Sequence, residues 1–559
     1  MRNQLWIRVF GKISIFIILL FSLSVQNPLD RPELPAQSSV TGPEGTKPEY
    51  LVIMVLDQLR PEYVERFDMV NLKALLREGT SFRNAYVGHM ASLTVVSHPV
   101  ITTGLLPKHL GWADGAYRDD PGVLGKVGAY YFIMAFQKDQ FFQLLRNSGT
   151  PSLSYLLRQY KGGKTLAVGV KPYAAYTFGG PDADIIVTLS GQYKSSTYPG
   201  YPDPTYAYLV GWRGPVGVRV PSYISQPIGG RFYVDSRDAY GTEGNPYPLD
   251  GNRFVPGFDK DHLGGDIWTT DVALSLLRNE GDWRALFVTF GGIDKTGHMF
   301  GGITDTWSYP DPVKAMIHMP NIARVADAQV GRIIQELKAQ GKYEKTLLVL
   351  TTDHGSQPAD YFYGLWGNER SYENWHYGQA ENGSVLSPSP ALKPLIETGN
   401  VAFSLQDSAI RVWLKDRSEP KSREAARVVL TLPGVIAAYY KVSQDGSYQY
   451  RLEGKDFAAL DLEQRQWFEE HAEELLNTMA ATYSADVVGV LKDYVNYGVM
   501  GEHGGLQEPV QRIPLIFAGP GIPRGKMVET PARLVDVAPT VLSVMGIQVP
   551  EKMDGRPLF

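Results

Sequence analysis

Six acidic and imidazole side chains stand at or near the ends of apolar, strand-like runs. Asp57 follows YLVIMVL, Asp294 and His298 lie in GGIDKTGHMFG, Asp353 and His354 in TTDHG, and His503 in GEHGG. Asp294 and His298 are four residues apart, which puts both on one face of a helical turn. Taken singly, each has a simpler reading: an Asp after a strand caps a helix, and a lone His packs in a core. Six at strand ends in one chain point to chemistry. Asp/His sets suit borderline metals such as zinc. Six ligands divide into two sets of three, as a site with two ions ~3.5–4 Å apart requires.

A nucleophile is sought among hydroxyls, since the chain contains no cysteine. Thr94, in Ser92-Leu93-Thr94-Val95-Val96-Ser97-His98, opens the apolar stretch Thr94 to Ile101. That stretch reads as a helix with Thr94 at its N-terminus, where an oxyanion faces the positive helix end and free N–H groups. A metal-bound hydroxyl there would lose its proton near neutral pH and could attack phosphorus or sulfur. The simpler reading makes Thr94 an N-cap, and Ser92 and Ser97 are rival nucleophiles.

These groups need a large scaffold. The 559 residues suffice for two to four modules of roughly 100–200 residues. Hydrophobic residues make up 43% and charged residues 20%, which rules out wholesale disorder. A net charge of -5 offers no basic surplus for a nucleic-acid duplex. Absence of cysteine removes disulfides, thiolate metal sites and a thiol nucleophile. At the N-terminus, Arg2, Arg8 and Lys12 precede the apolar run Ile13 to Val25. That run is short for a bilayer span of about 20 residues and reads as a signal peptide over 1–24, with an uncleaved anchor as the alternative. Residues 25–49, rich in Pro, Gly, Ser and charge, read as a flexible tether. A secreted or periplasmic location follows.

Tyr50 to Asp57 reads as a buried parallel strand delivering an Asp to the carboxyl edge of a sheet, where ligands bind in open α/β folds. Lys164 to Val170, Arg284 to Gly291, Thr346 to Thr351 and Ile513 to Ala518 repeat the pattern. Helical spacing marks Ile267 to Leu277 and Asn321 to Leu337, and Leu534 to Met545 reads as a strand end and a helix. The expected fold is α/β, with a doubly wound, mostly parallel sheet flanked by helices. Residues 50–356 and 500–559 form the core, with 117–261 an irregular aromatic excursion. Residues 357–499 form an α+β insertion serving as a cap.

The ordered set VLDQLRPEY, NAYVGHMASLTVVSHPVITTGLLPKHLG, GGIDKTGHMFG, TTDHG, GEHGG, RLVDVAPTVLSVMG and DGRPL resembles the alkaline phosphatase superfamily. The nearest match is its type I phosphodiesterase/nucleotide pyrophosphatase branch and the related threonine-nucleophile alkaline phosphatases. The resemblance covers about Tyr50 to Gly111, Asp266 to Gly355 and Gly501 to Phe559, and includes His98 four residues after Thr94. It implies two zinc sites. Asp294, His298 and His503 would hold one ion, and Asp57, Asp353 and His354 the other, with Thr94 touching the second. It also implies in-line attack by a Thr94 alkoxide on phosphorus to give a phosphothreonine. The first-named zinc would serve the leaving oxygen and then the hydrolytic water.

The chain departs from the family's pattern where relatives place an Asn for a phosphoryl oxygen. Gly111 to Ala116 has none, and Asp114 is nearest. A carboxylate there repels phosphate unless it is protonated or turned away. The Lys/Arg segment of monoester-preferring relatives is also missing. Lys171, in VGVKPY, is a substitute, or else an exposed strand-end lysine. The substrate is therefore read as a small phosphate ester, nucleotide-like where 117–261 stacks an aromatic group, with a diester or pyrophosphate favoured over a monoester. A sulfatase would need a formylglycine precursor, and the nearest Ser-Pro stretch, SEPKSR, has the wrong spacing. The alternative of another class is a non-catalytic binding protein on a decayed hydrolase fold.

Overall fold

The computed structural model describes residues 47–189, 215–224, 261, 264–300, 312–357, 361–362, 376–382, 385–386, 390–458, 460–497 and 501–559. The expected signal peptide, nearly all of the tether and most of 190–260 lie outside the described residues. Among the described residues, no helix is long and apolar enough to cross a membrane.

The strand Tyr50–Leu56 is buried along its whole length. Its side chains alternate between two separate cores: Leu51, Ile53 and Val55 face one, and Val52, Met54 and Leu56 the other. This is the period-two geometry of a strand covered on both faces. It pairs in parallel with Thr346–Thr351 on one side and Trp283–Phe290 on the other. Lys164–Gly169 and Ile185–Leu189 continue the parallel run past Trp283–Phe290. Nine strands make up the sheet. The antiparallel pairings are those of Leu515–Ala518 with both its neighbours, and of Pro215–Val218 at one edge.

Helices cover both faces. Val70–Glu78, Asp266–Asn279 and Pro312–Ala339 pack on one, burying Leu72, Leu276 and Ile333. Thr94–Thr103, Leu153–Lys161, Pro172–Gly179 and Val537–Met545 pack on the other. Each fully buried Leu, Ile or Val in these layers contributes about 1.5–3 kcal/mol.

The stretch 117–261 is more regular than expected where it is described. It holds the helices Lys138–Asn147, Leu153–Lys161 and Pro172–Gly179, besides strands of the central sheet. Its aromatic residues blur the periodicity because they are core residues: Phe141 and Phe142 sit on the buried face of Lys138–Asn147.

A second, seven-stranded sheet draws its strands from residues between His376 and Lys455 and from Val487–Leu491. All its pairings are antiparallel. One face packs on the helix Glu419–Leu430 through Ile410, Val412 and Val429. The other contributes Ala409, Trp413, Val488 and Val490 to the same core that lies under Thr94–Thr103. The two sheets are therefore joined by continuous apolar packing.

The second sheet is also pinned by a buried ion pair, to a two-stranded ribbon separate from the central sheet. Arg118, in the short strand Ala116–Arg118, donates from Nη1 to Asp486 Oδ2 at 2.7 Å and from Nη2 to Asp486 Oδ1 at 3.2 Å. Asp486 precedes the strand Val487–Leu491 of the second sheet. Removing Arg118 leaves the buried Asp486 with only Lys441, 3.4 Å away, to balance its charge. Arg118→Met should lower unfolding stability by about 3 kcal/mol, read as a shift in the urea midpoint with the slope unchanged.

Candidate metal centre and nucleophile

The parallel strands deliver their acids to one edge. Asp57 directly follows Tyr50–Leu56, and Asp353 and His354 follow Thr346–Thr351. Trp283–Phe290 leads into the helix Gly292–Phe300, which presents Asp294 and His298 from successive turns. The N-terminus of that helix is held by Asp266, whose Oδ1 accepts from the Gly292 N–H at 2.9 Å. Burial pushes the Asp266 carboxyl up to about 7. His503 arrives on a loop. The Gly501 turn of that loop has φ 57, and a Cβ on it would lie 2.4 Å from the Gly297 carbonyl.

Two clusters form, Asp294–His298–His503 and Asp57–Asp353–His354, all six residues buried. Within the first, Asp294 Oδ1 lies 3.1 Å from His298 Nε2 and 3.5 Å from His503 Nε2. Within the second, His354 Nε2 lies 3.5 Å from Asp57 Oδ1 and 3.4 Å from Asp353 Oδ2. Ligands bonded at 2.0–2.1 Å around a tetrahedral zinc are about 3.3 Å apart, so these separations fit one ion in each cluster. Asp57 Oδ1 and Asp353 Oδ2 are buried acceptors with no hydrogen-bond donor, as oxygens facing a cation would be.

The imidazoles are set for the same purpose. His354 Nδ1–H donates to the Gly355 carbonyl at 3.0 Å, and His503 Nδ1–H donates to the Ser92 carbonyl at 3.0 Å. A carbonyl only accepts, so in each ring Nε2 is the free electron pair. Burial takes His503 down to about 3 and keeps it neutral, the form that binds metal. The rings of His354 and His503 stack with centroids 3.6 Å apart, which brings the two clusters side by side.

Thr94 is the first residue of the helix Thr94–Thr103. Its Oγ1 lies 3.2 Å from His354 Nε2 and 3.4 Å from Lys171 Nζ. The two rival serines face elsewhere. Ser92 Oγ donates to the Gly505 carbonyl at 2.9 Å, and Ser97 Oγ pairs with His89 Nε2 at 3.2 Å. His98 locks the first turn of the helix. Its Nδ1–H donates to the Thr94 carbonyl at 2.9 Å while its Nε2 accepts from Thr289 Oγ1 at 2.8 Å.

Lys171 is no exposed strand-end lysine. Its Nζ sits 2.5 Å from Asp57 Oδ2 and 2.7 Å from Asp294 Oδ2, between the two clusters. Burial works against its charge, but Asp294 and Asp57 outweigh burial and hold the ammonium well above its ordinary range. Asp57 is raised as well, which in a carboxylate disfavours the charge: burial first, then the charges of Asp294 and Asp353, push it well above the usual carboxylate range. That surplus of negative charge is what bound cations would relieve. Asp114 is turned away, its Oδ2 2.7 Å from Arg411 Nε. Burial carries the Asp114 carboxyl up to about 7 despite that pairing. The pocket over Thr94 has an apolar wall of Leu93, Val95, Met134 and Leu405, and a polar one that includes Lys171, Tyr173, Lys295 and Asp407.

Three contributors escape a reading of the sequence. Gln58 takes φ 69, a left-handed backbone, so that its side-chain amide reaches Asp294 Oδ1 at 3.3 Å and the Gly501 carbonyl at 2.8 Å. Its position directly after a strand-end Asp is the one available signal. Asp266 reads as an ordinary helix start. Arg411 lies in a strand of the second sheet, with nothing local to mark it.

Comparison with known proteins places this geometry in a family. The sequence profile of type I phosphodiesterase / nucleotide pyrophosphatase matches residues 51–455. A "Sulfatase" from Formosa agariphila is 33% identical over 61 residues, 11% of this chain and 12% of that protein's length. A "Calcium-transporting ATPase" from Myroides odoratus is 22% identical over 92% of this chain and 94% of its own. The crystal structure of wild-type alkaline phosphatase PafA superposes with a TM-score of 0.57 at 17% identity, covering 92% of this chain and 98% of that one, a likeness of fold. The profile match takes in most of the chain, including the candidate nucleophile and five of the six candidate ligands, and on it the protein belongs to the type I phosphodiesterase / nucleotide pyrophosphatase family.

Proposed function

We propose that the protein is an exported phosphoric ester hydrolase that works through Thr94 and two zinc ions on phosphate diesters or pyrophosphates. The observation that carries this reading is the position of Thr94 Oγ1. It lies at the head of a buried helix, 3.2 Å from an imidazole of one ligand cluster and 3.4 Å from the lysine that bridges to the other. Asp57, Asp353 and His354 would hold the ion beside Thr94, and Asp294, His298 and His503 the other. When bound, such ions supply Lewis acidity, lowering the hydroxyl's pKa and offsetting charge on phosphoryl oxygens.

The chain's own groups account for the rest. The Thr94 oxygen bonds to phosphorus as the bond to the leaving oxygen breaks. Water then attacks the phosphothreonine from the opposite side and releases Thr94. Lys171 Nζ is the donor next to a phosphoryl group carried on Thr94, and the positive end of the helix faces the same oxygens. His98 fixes the Thr94 backbone, so the attacking oxygen is held before substrate arrives. Leu93, Val95, Met134 and Leu405 offer an apolar surface to the organic part of an ester. Export rests on the basic residues and apolar run that end at Val25.

A second reading, a monoester-specific alkaline phosphatase, gains from Lys171, because a buried ammonium beside Thr94 helps neutralise a dianion. A parallel rate comparison on a monoester, a diester and a phosphonate ester with one leaving group decides between them. The diester is expected to give the highest kcat/KM, and Lys171→Met should lower that value by about 10²-fold. A monoester turned over faster than the diester establishes the phosphatase reading instead.

Thr94→Ala should reduce kcat by roughly 10³-fold or more, with the circular dichroism spectrum and zinc content unchanged. Acid-quenched turnover should trap a phosphorylated Thr94 peptide in the wild type alone. Unchanged turnover assigns the attack to another group. Dialysis against a chelator should abolish activity, and added zinc should restore it with two ions bound per chain. A protein that takes up no zinc is a binding protein on this fold.

A further inference from the structure

The second sheet reaches the metal-ligand loop at one point. Arg411, in the strand Ala409–Leu414, is fully buried. Its guanidinium spans three separate segments of chain. Nε lies 2.7 Å from Asp114 Oδ2 in the core, and Nη1 donates to Asp407 Oδ1 at 2.8 Å. Nη1 also donates to the Gly504 carbonyl at 2.8 Å, and Nη2 donates to Asp407 Oδ2. Gly504 is the residue after His503. The same loop is tied by the Ser408 N–H, which donates to the His503 carbonyl at 3.2 Å. Asp407 packs directly on it: Gly504 has φ 101, and a Cβ there would lie 2.5 Å from Asp407 Oδ2.

We propose that Arg411 is a positioning residue for His503, through which the second sheet sets how tightly the Asp294–His298–His503 cluster holds its ion. This rests on the two-zinc reading above. His503 is the one ligand of its set that comes from a loop; Asp294 and His298 share a helix. A planar fork with five donors can hold two carboxylates and a carbonyl at fixed angles, whereas an ammonium cannot meet all three in that geometry. Groups that orient a metal ligand from behind tune the affinity of the site. The other cluster is carried on the ends of two paired central strands, whose backbone ladder fixes Asp57 and Asp353, and it meets this loop through the stacking of His354 on His503.

The test is a zinc titration of the metal-stripped protein against a chromophoric chelator, which resolves two dissociation constants. In Arg411→Lys, one constant should rise about 10- to 100-fold while the other stays within about threefold. Asp407→Asn, which loosens the same fork without removing Arg411, should move the same constant in the same direction and decides the matter if Arg411→Lys does not fold. Arg118→Lys, which loosens the second sheet away from the loop, should lower Tm and leave both constants alone. Wild-type affinities at both sites in Arg411→Lys and Asp407→Asn overturn the inference alone. So does an equal weakening of both sites that tracks Tm in all three variants. A wild-type protein that binds no zinc overturns the two-zinc reading as well.

Discussion

The structure depends on keeping three carboxylates, Asp57, Asp294 and Asp353, buried at one edge of a sheet. Like charges brought together out of water repel strongly, and burial alone favours their neutral forms. Lys171 offsets part of that charge, and two cations held as proposed would offset the remainder. Much of the surrounding architecture serves this arrangement. The central strands are apolar because both their faces are buried, and that packing holds their ends in place. The loops beyond them are packed with backbone-to-side-chain hydrogen bonds because each ligand has to face inward at a fixed angle.

The two clusters are built differently. Asp57, Asp353 and His354 extend from neighbouring strands whose pairing runs from Tyr50 to Val55 and from Thr346 to Thr351. Their spacing follows from the sheet. Asp294, His298 and His503 combine a helix with a loop, and their spacing must be imposed by contacts: Asp266 at the helix start, Gln58 across the middle, and Ser92 and Arg411 behind His503. Thr94 belongs to the first kind. Its helix is buried along its full length, and His98 ties its first turn to Thr289 on a central strand.

What could be read in the sequence follows the same division. Strand-end acids announce themselves, because an apolar run such as YLVIMVL that stops at an Asp is a buried strand emerging at a polar edge. The core helices are legible from their periodicity. The antiparallel placement of Leu515–Ala518, and the short strands Gly79–Phe82 and Lys526–Val528 beyond it, are not, since pairing direction leaves no mark on runs of three or four residues. Lys171 is ambiguous because a lysine after a strand is usually solvated. Only the convergence of Asp57 and Asp294, 237 positions apart in the numbering, makes it buried. Arg411 is invisible for the same reason: its partners at Asp114, Asp407 and Gly504 come from three parts of the chain.

The lateness of His503 in the chain has a consequence for assembly. Asp57 and Thr94 lie near the beginning of the described residues, yet the centre is not closed until a loop more than four hundred residues later has docked against Ser92. Contacts of such long sequence separation form slowly, because loop closure must precede any gain from them. During synthesis, the strand-borne cluster can therefore take shape while the other still lacks a ligand. Completion of the second cluster then becomes a late event in maturation, one that distinguishes a finished molecule from an incomplete one.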